Sequence, residues 1–219
     1  MLSNSWKKFY GDNLHISDTK IAILPNPVKF PSQIKYKKNT STVDFLFLGR
    51  IHQPKGAFEL IKAFSQIPFQ LRNLATLTMA GDGDVETARN LVKDLDLADK
   101  ITILDWVNSQ ERDALLAKSD VFVLPSHNEG LPMSMIEAMS FGLSIIATSV
   151  GGIPELISHS NNGILIEPRN IQELSSAMQS LIDNEDLRNS LGVKAEQSVT
   201  SLDIEKYCLS LQSVYQDIV

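Results

Sequence analysis

From Val43 onward, apolar positions fall in short, nearly continuous runs that alternate with stretches of helical spacing. Runs rich in β-branched and aromatic residues predict strands over 43–48, 75–80, 101–104, 121–124, 144–148 and 163–166. Between them, apolar residues recurring every three or four positions predict helices near 56–66, 84–95, 109–117, 133–141 and 152–158. Further helices are expected near 170–182, 184–199 and 203–217. Phe45-Leu46-Phe47-Leu48 and Val121-Phe122-Val123-Leu124 have no polar face, so such strands must be covered on both sides. Apolar strands separated by helices imply a doubly wound α/β domain with a parallel sheet. Residues 1–24 break the rhythm. They read as the tail of a helix (Trp6 to Tyr10), a turn at Gly11-Asp12-Asn13 and a short strand Ile21-Ala22-Ile23-Leu24, as if ending something else. There is no internal repeat and no low-complexity tract.

Composition narrows the class. A chain of 219 residues with 43% apolar side chains is long enough to bury a sizeable core, as one domain or at most two. No apolar stretch approaches the roughly 18 to 20 residues of a membrane helix. The first twenty residues hold Trp6, Lys7, Lys8, Asp12 and Asp18 with no apolar core, so no secretory signal is expected. The single cysteine, Cys208, excludes an internal disulfide and a cysteine metal cluster, and cytoplasm is the expected compartment. In its C-terminal amphipathic helix Cys208 reads as a small core residue. The net charge of −6 is uneven: residues 1–38 carry +5 and the remainder −11. An acidic body argues against nucleic acid as a partner. Lys29, Lys35, Lys37 and Lys38 fit a solvated connecting loop kept extended by Pro25, Pro27 and Pro31.

In an open parallel sheet, ligands bind beyond the carboxyl ends of the strands. Strand 43–48 exits into Gly49-Arg50-Ile51-His52-Gln53-Pro54-Lys55-Gly56. Gly49 permits a close turn, while Arg50, Lys55 and the following helix N-terminus suit a phosphorylated ligand. Taken alone, the two cations fit ordinary surface charges equally well. Strand 75–80 exits into Gly81-Asp82-Gly83-Asp84. This is not the G-x-G-x-x-G dinucleotide fingerprint, although the glycines permit close approach to a ligand and Asp84 can cap the next helix. The strongest segment follows strand 121–124, where Pro125 to Glu137 places Glu129 in a loop and Glu137 inside a helix whose first turn holds Pro132. A helix N-terminus suits phosphate, and a carboxylate beside it suits sugar hydroxyls. Glu137 lies among Met133, Met135, Ile136, Ala138 and Met139, where an unpaired acid is costly, so a partner is expected. His52 and His127 have no visible partner and are left outside the catalytic set; His15 and His159 give no metal cluster.

Taken in order, these loops resemble the donor-binding, C-terminal half of retaining GT-B glycosyltransferases of the group 1 family, over roughly residues 21 to 200. Ile23-Leu24-Pro25-Asn26-Pro27-Val28 is similar to the family's interdomain junction. Gly49-Arg50 with Lys55-Gly56, Gly81-Asp82-Gly83, and Leu124-Pro125-Ser126 through Glu137-Ala138-Met139 resemble its successive site motifs. Glu129 and Glu137 enclose seven residues, as the family's paired glutamates do. Ala147-Thr148, Gly151-Gly152-Ile153-Pro154-Glu155 and Asn162-Gly163-Ile164-Leu165 continue the match.

The resemblance implies a Rossmann-like half of a GT-B fold. By that likeness Arg50 and Lys55 hold the diphosphate of a UDP-, GDP- or ADP-sugar. Glu129 accepts from sugar hydroxyls, amides around Gly130, Leu131, Pro132 and Met133 meet sugar and phosphate, and Glu137 grips the ribose. Leu104-Asp105-Trp106-Val107 stands where the family's backbone faces the base, with Asp105 in place of a small residue; Gly83-Asp84 departs from the family's Gly-Pro. The implied reaction transfers a sugar to an acceptor hydroxyl with retention and no obligatory metal or other cofactor. Residues 1–38 are expected to be an N-terminal-domain edge plus linker, and 39–219 the donor-binding domain. The acceptor domain is then a missing partner, membrane association would run through it, and the fragment alone would transfer little sugar. The final helix would be re-docked or used in self-association. A non-catalytic nucleotide-sugar module and a nucleotide-sugar 2-epimerase of the same fold are the alternatives; a classical dinucleotide oxidoreductase is disfavoured.

Overall fold

The structure is a computed structural model that describes residues 1, 3–31 and 42–216. The chain runs α1 (Asn4–Leu14), β1 (Val43–Leu48), α2 (Ala57–Ser65), α3 (Phe69–Arg72), β2 (Ala75–Ala80), α4 (Val85–Asp94), β3 (Ile101–Leu104) and α5 (Ser109–Lys118). It continues through β4 (Val121–Leu124), α6 (Met133–Ser140), β5 (Ser144–Thr148), α7 (Ile153–Leu156), β6 (Ile164–Ile166), α8 (Ile171–Asp183), α9 (Glu185–Ser198) and α10 (Ile204–Gln216).

The sheet has the order β3-β2-β1-β4-β5-β6, and every neighbouring pair is parallel. This is the doubly wound, Rossmann-like topology. The order reverses between β1 and β4, which opens a crevice beyond their carboxyl ends. Phe45, Leu46, Phe47, Phe122, Val123, Ile145 and Ile146 are buried at 1% exposure or less, as strands covered on both faces require. α2 packs against α4 and α8, while α6 packs against α9. Asparagines set several helix starts. Asn108 and Glu111 form a reciprocal capping box on α5, and Asn170 and Asn184 accept backbone N–H groups at α8 and α9.

The N-terminal segment departs from expectation. α1 runs straight through Gly11-Asp12-Asn13, and no strand forms at Ile21–Leu24. Ser3 caps α1 at Trp6 N, Asn13 donates back to Phe9 O at 2.7 Å, and the helix ends only at His15 in the left-handed region. Residues 22 and 24 instead bond Met1: the terminal amino group reaches Ala22 O at 2.7 Å and Leu24 N reaches Met1 O at 2.8 Å. Val28 bonds on both sides to the chain entering α10, through Leu202 O and Ile204 N. The expected connecting loop at Lys35 to Lys38 lies outside the described residues. α3, a single turn after Pro68, is an addition too short to show periodicity. Cys208 corrects a second expectation: it is exposed, and α10 fully buries none of its side chains, Tyr207, Leu211 and Val214 being half-buried.

Candidate functional site

Five strand exits converge at the carboxyl edge of the sheet. β1 ends in Gly49-Arg50, followed by a 3₁₀ turn at Gln53–Lys55 and Gly56 at the start of α2. Gly56 has φ 68°, and a Cβ there would stand 2.1 Å from Pro125 O, so only glycine lets the two loops touch. The β2 exit packs alongside. Ile51 N donates to Asp82 O and Asp84 N donates to Ile51 O, both at 2.7 Å, while Gly81 and Gly83 face the backbone of Gly49 and Ile51. These two glycines therefore serve loop-to-loop packing. Asp84 sits at the cap of α4, but its side chain makes no capping bond; its backbone bond to Ile51 fixes the turn instead.

The β1–α2 and β4–α6 loops bring Lys55 and Glu129 together. Lys55 Nζ pairs with Glu129 Oε1, which also accepts from Ser126 Oγ at 2.7 Å. The Glu129 side chain is 7% exposed and that of Lys55 29%. Burying the carboxylate is costly without such partners, and Lys55 supplies the compensating charge. Arg50 is exposed, and its guanidinium has no hydrogen bond or ion pair among the described residues. It stands at the site as an unused fork of donors.

α6 begins beside this pair. Pro132 occupies its cap, one residue before the first turn, and no side chain caps the helix. Its first amides are left for a ligand or solvent. The approach to α6 is held from behind by Asn26 Nδ2 to Leu131 O at 2.9 Å and Gly152 N to Gly130 O at 2.8 Å. Leu131 is buried and Met133 exposed.

Glu137, on α6, has the partner its surroundings demand: Arg112 Nη1 of α5 lies 2.7 Å away. Arg112 is gripped in turn by Asp113 through Nε and Nη2. Burial raises the Glu137 pKa, Arg112 opposes that rise, and the Asp113 charge adds to it. Beyond β3, Trp106 stands 73% exposed with Val107 half-buried behind it. Asp105 is tied to Arg89 at 2.9 Å. A hollow of about 600 Å³ opens here, lined by residues including Asp82, Gly83, Glu86, Asp105 and Trp106. A larger hollow of about 710 Å³ flanks α10 far along the chain, but the residues lining it all belong to that one helix, so it offers no converging polar groups.

Two histidines change standing. His127 does have a partner: its Nε2 lies 3.1 Å from Glu59 Oε1. His52 Nδ1 lies 3.1 Å from Arg50 O and so stays with the backbone of its own loop. Gln53 and Arg112 look in the sequence like ordinary loop and helix polar groups and carry no signal of a site role. Glu59 alone carried a signal, as a lone acid among Ala57, Phe58, Leu60 and Ile61. Among the described residues no group of His, Cys, Asp or Glu is arranged to hold a metal, and no helix is long and apolar enough to cross a membrane.

Residues 29–198 match the family described as glycosyl transferases group 1. The chain belongs to that family, as a C-terminal domain of the GT-B type. Over 188 residues it is 30% identical to the N-acetyl-α-D-glucosaminyl L-malate synthase of Bacillus anthracis, which covers 84% of this chain and 48% of the synthase. The HepE protein of Anabaena, solved in complex with UDP-glucose, superposes with a TM-score of 0.84 at 20% identity over 99% of this chain and 62% of that one. The C-terminal domain of the group 1 protein LpcC from Francisella tularensis superposes with a TM-score of 0.68 at 28% identity, covering 74% of this chain and 87% of that one. The chain spans just under half the length of the curated relatives it matches.

Proposed function

We propose that this domain binds a nucleoside-diphosphate sugar and that the whole protein transfers the sugar to an acceptor hydroxyl with retained anomeric configuration. The observation that carries the reading is the convergence of Lys55, Glu129 and the unpartnered Arg50 beside the uncapped start of α6. A diphosphate needs cations and free amides; a sugar needs a fixed carboxylate acceptor. This edge of the sheet offers both within two adjoining loops. The structural likeness to a protein solved with UDP-glucose supports the same ligand class.

In this reading Arg50, Lys55 and the α6 N-terminus stabilise charge growing on the departing diphosphate, the work a divalent ion does elsewhere. Glu129 accepts from the sugar hydroxyls, with Lys55 paired to it in its buried place. Glu137 accepts from the ribose diol, and the backbone at Trp106 and Val107 faces the base. Acceptor contacts come from a domain outside this chain, so the domain alone binds donor and transfers little. Nothing observed favours the non-catalytic or epimerase alternatives over this one.

The test is calorimetric titration of UDP, UDP-glucose, GDP and ADP into the protein, with chelator present throughout. At least one ligand is expected to bind, and Lys55→Ala or Arg50→Ala to weaken it by on the order of ten-fold or more, as loss of one charge-assisted contact does. Unchanged affinity in both variants refutes the assignment.

A further inference from the structure

The two loops that carry Lys55 and Glu129 are joined a second time, behind that pair. One oxygen of Glu59, Oε1, accepts from Gln53 Nε2 at 2.7 Å and lies 3.1 Å from His127 Nε2. Gln53 stands two residues before Lys55, and His127 two before Glu129. A single carboxylate oxygen thus ties the β1–α2 loop to the β4–α6 loop. The imidazole is oriented from its other side, where Arg169 Nε approaches Nδ1 at 3.5 Å. With Nδ1 accepting, Nε2 carries the hydrogen that faces Glu59. Arg169 itself holds φ 65°, a left-handed conformation unusual for its type. The backbone bond from His127 N to Pro54 O, at 2.9 Å, runs beside the bridge.

Glu59 is kept at a cost. Its second oxygen, Oε2, is buried with no hydrogen-bond partner, and the residue is only 9% exposed between Ala57, Leu60 and Ile61 of the core-facing side of α2. Helix packing alone would be served better by an apolar side chain there. The bridge accounts for the acid, because no apolar residue accepts from both loops at once.

We infer that Glu59 is a positioning residue: its Oε1 fixes the separation of the two loops and thereby presets Lys55 and Glu129 for the donor. The inference rests on the donor-binding reading. Lys55 is a long, flexible side chain, and its ordering before the ligand arrives lowers the entropy lost on binding. Removing the bridge leaves Lys55 and Glu129 chemically intact but frees the loops that carry them.

The experiment compares the unsubstituted protein with Glu59→Ala and Glu59→Gln. Amide hydrogen exchange is followed by mass spectrometry in segments 53–56 and 126–130, with β5 as internal reference, and UDP and GDP affinities are measured by calorimetry. In Glu59→Ala, exchange is expected to quicken in both segments together while β5 is unchanged, and affinity to fall by about ten-fold. Glu59→Gln retains an acceptor oxygen and is expected to restore both readouts, a rescue that a general loss of stability does not produce. Quickening in only one segment, or affinity in folded Glu59→Ala within about two-fold of the unsubstituted protein, overturns the inference. If neither nucleotide binds the unsubstituted protein, the donor-binding reading fails by itself, and the paired exchange still decides whether Glu59 joins the loops.

Discussion

Replacing Arg112 with leucine isolates what the α5–α6 ion pair does for Glu137. The two side chains are 34% and 18% exposed, so the pair lies between a solvated bridge and a buried one. Exposed pairs contribute about 0–1 kcal/mol, and breaking a buried one costs about 3–5 kcal/mol. With Arg112 a third exposed, the expected loss in Arg112→Leu is about 1–2 kcal/mol above neutral pH. The sign of its pH dependence follows from the acid. Burial raises the Glu137 pKa and Arg112 lowers it, so without Arg112 the carboxyl rises further. A raised carboxyl holds its proton in the folded state after the unfolded chain has released it. Stability therefore falls as pH climbs from the ordinary carboxylate value through the folded one. Arg112→Leu widens that window, so its deficit is small on the acid side and full above it. Urea unfolding at about pH 5 and about pH 8 reads this difference directly, and adding Glu137→Gln to the variant should erase most of the deficit at the higher pH. An equal deficit at both pH values, or a larger one in acid, refutes the account.

Other consequences follow from neighbouring contacts. Burial raises the pKa of Glu155, but hydrogen bonds from Ser5 and Asn4 at the start of α1 outweigh that and hold its carboxyl at about 2. A carboxyl lowered in the folded state stabilises above its ordinary value, and the contribution is lost as pH falls from there towards about 2; far-ultraviolet dichroism should show α1 loosening over that acid range, and Glu155→Gln should move the loosening to neutral pH. Gly56→Ala forces a Cβ toward Pro125 O at a positive φ, and is expected to cost about 2 kcal/mol or more in chemical unfolding. A substitution within a few tenths of a kcal/mol of the parent would show that the two loops are not in contact.

The strands were legible because a sheet covered on both faces leaves few polar positions, such as Asp44, Thr76, Thr78 and Thr102, to interrupt the apolar runs, and five of the six begin and end where those runs do. The exception, the edge strand β6, begins at Ile164 because Gly163 bonds outward to Ser160 N. The N-terminal segment departs from its local composition for the opposite reason. Gly11-Asp12-Asn13 has turn composition, but α1 is held at its start by Ser3 and Glu155, and the latter lies too far along the chain for local spacing to reveal. The same limit separates the charged residues. Lys55, Glu129 and Glu137 stand out by position after strands, whereas Arg112 and Glu59 matter only because α5 and α2 bring them against Glu137 of α6 and His127 of the β4–α6 loop, 25 and 68 residues away. His127 shows the cost of judging a side chain by its sequence neighbours: its partner sits on another helix.

The loop from Pro125 to Leu131 is held from two opposite sides, and this shapes what it can do. On one side Glu59, Gly56 and Pro54 grip it through His127 and Pro125. On the other, Gly151 lies so close to Glu129 O that a Cβ would come within 1.8 Å, Gly152 N bonds Gly130 O, and Asn26 bonds Leu131 O. Gly152 also abuts Ser3, the cap of α1, whose next residues bind Glu155. The start of α1 therefore meets the backbone of Gly130 through Gly152, while α2 holds the Lys55 side. Held on both flanks by such contacts, the loop keeps Glu129 against Lys55 without relying on that ion pair alone.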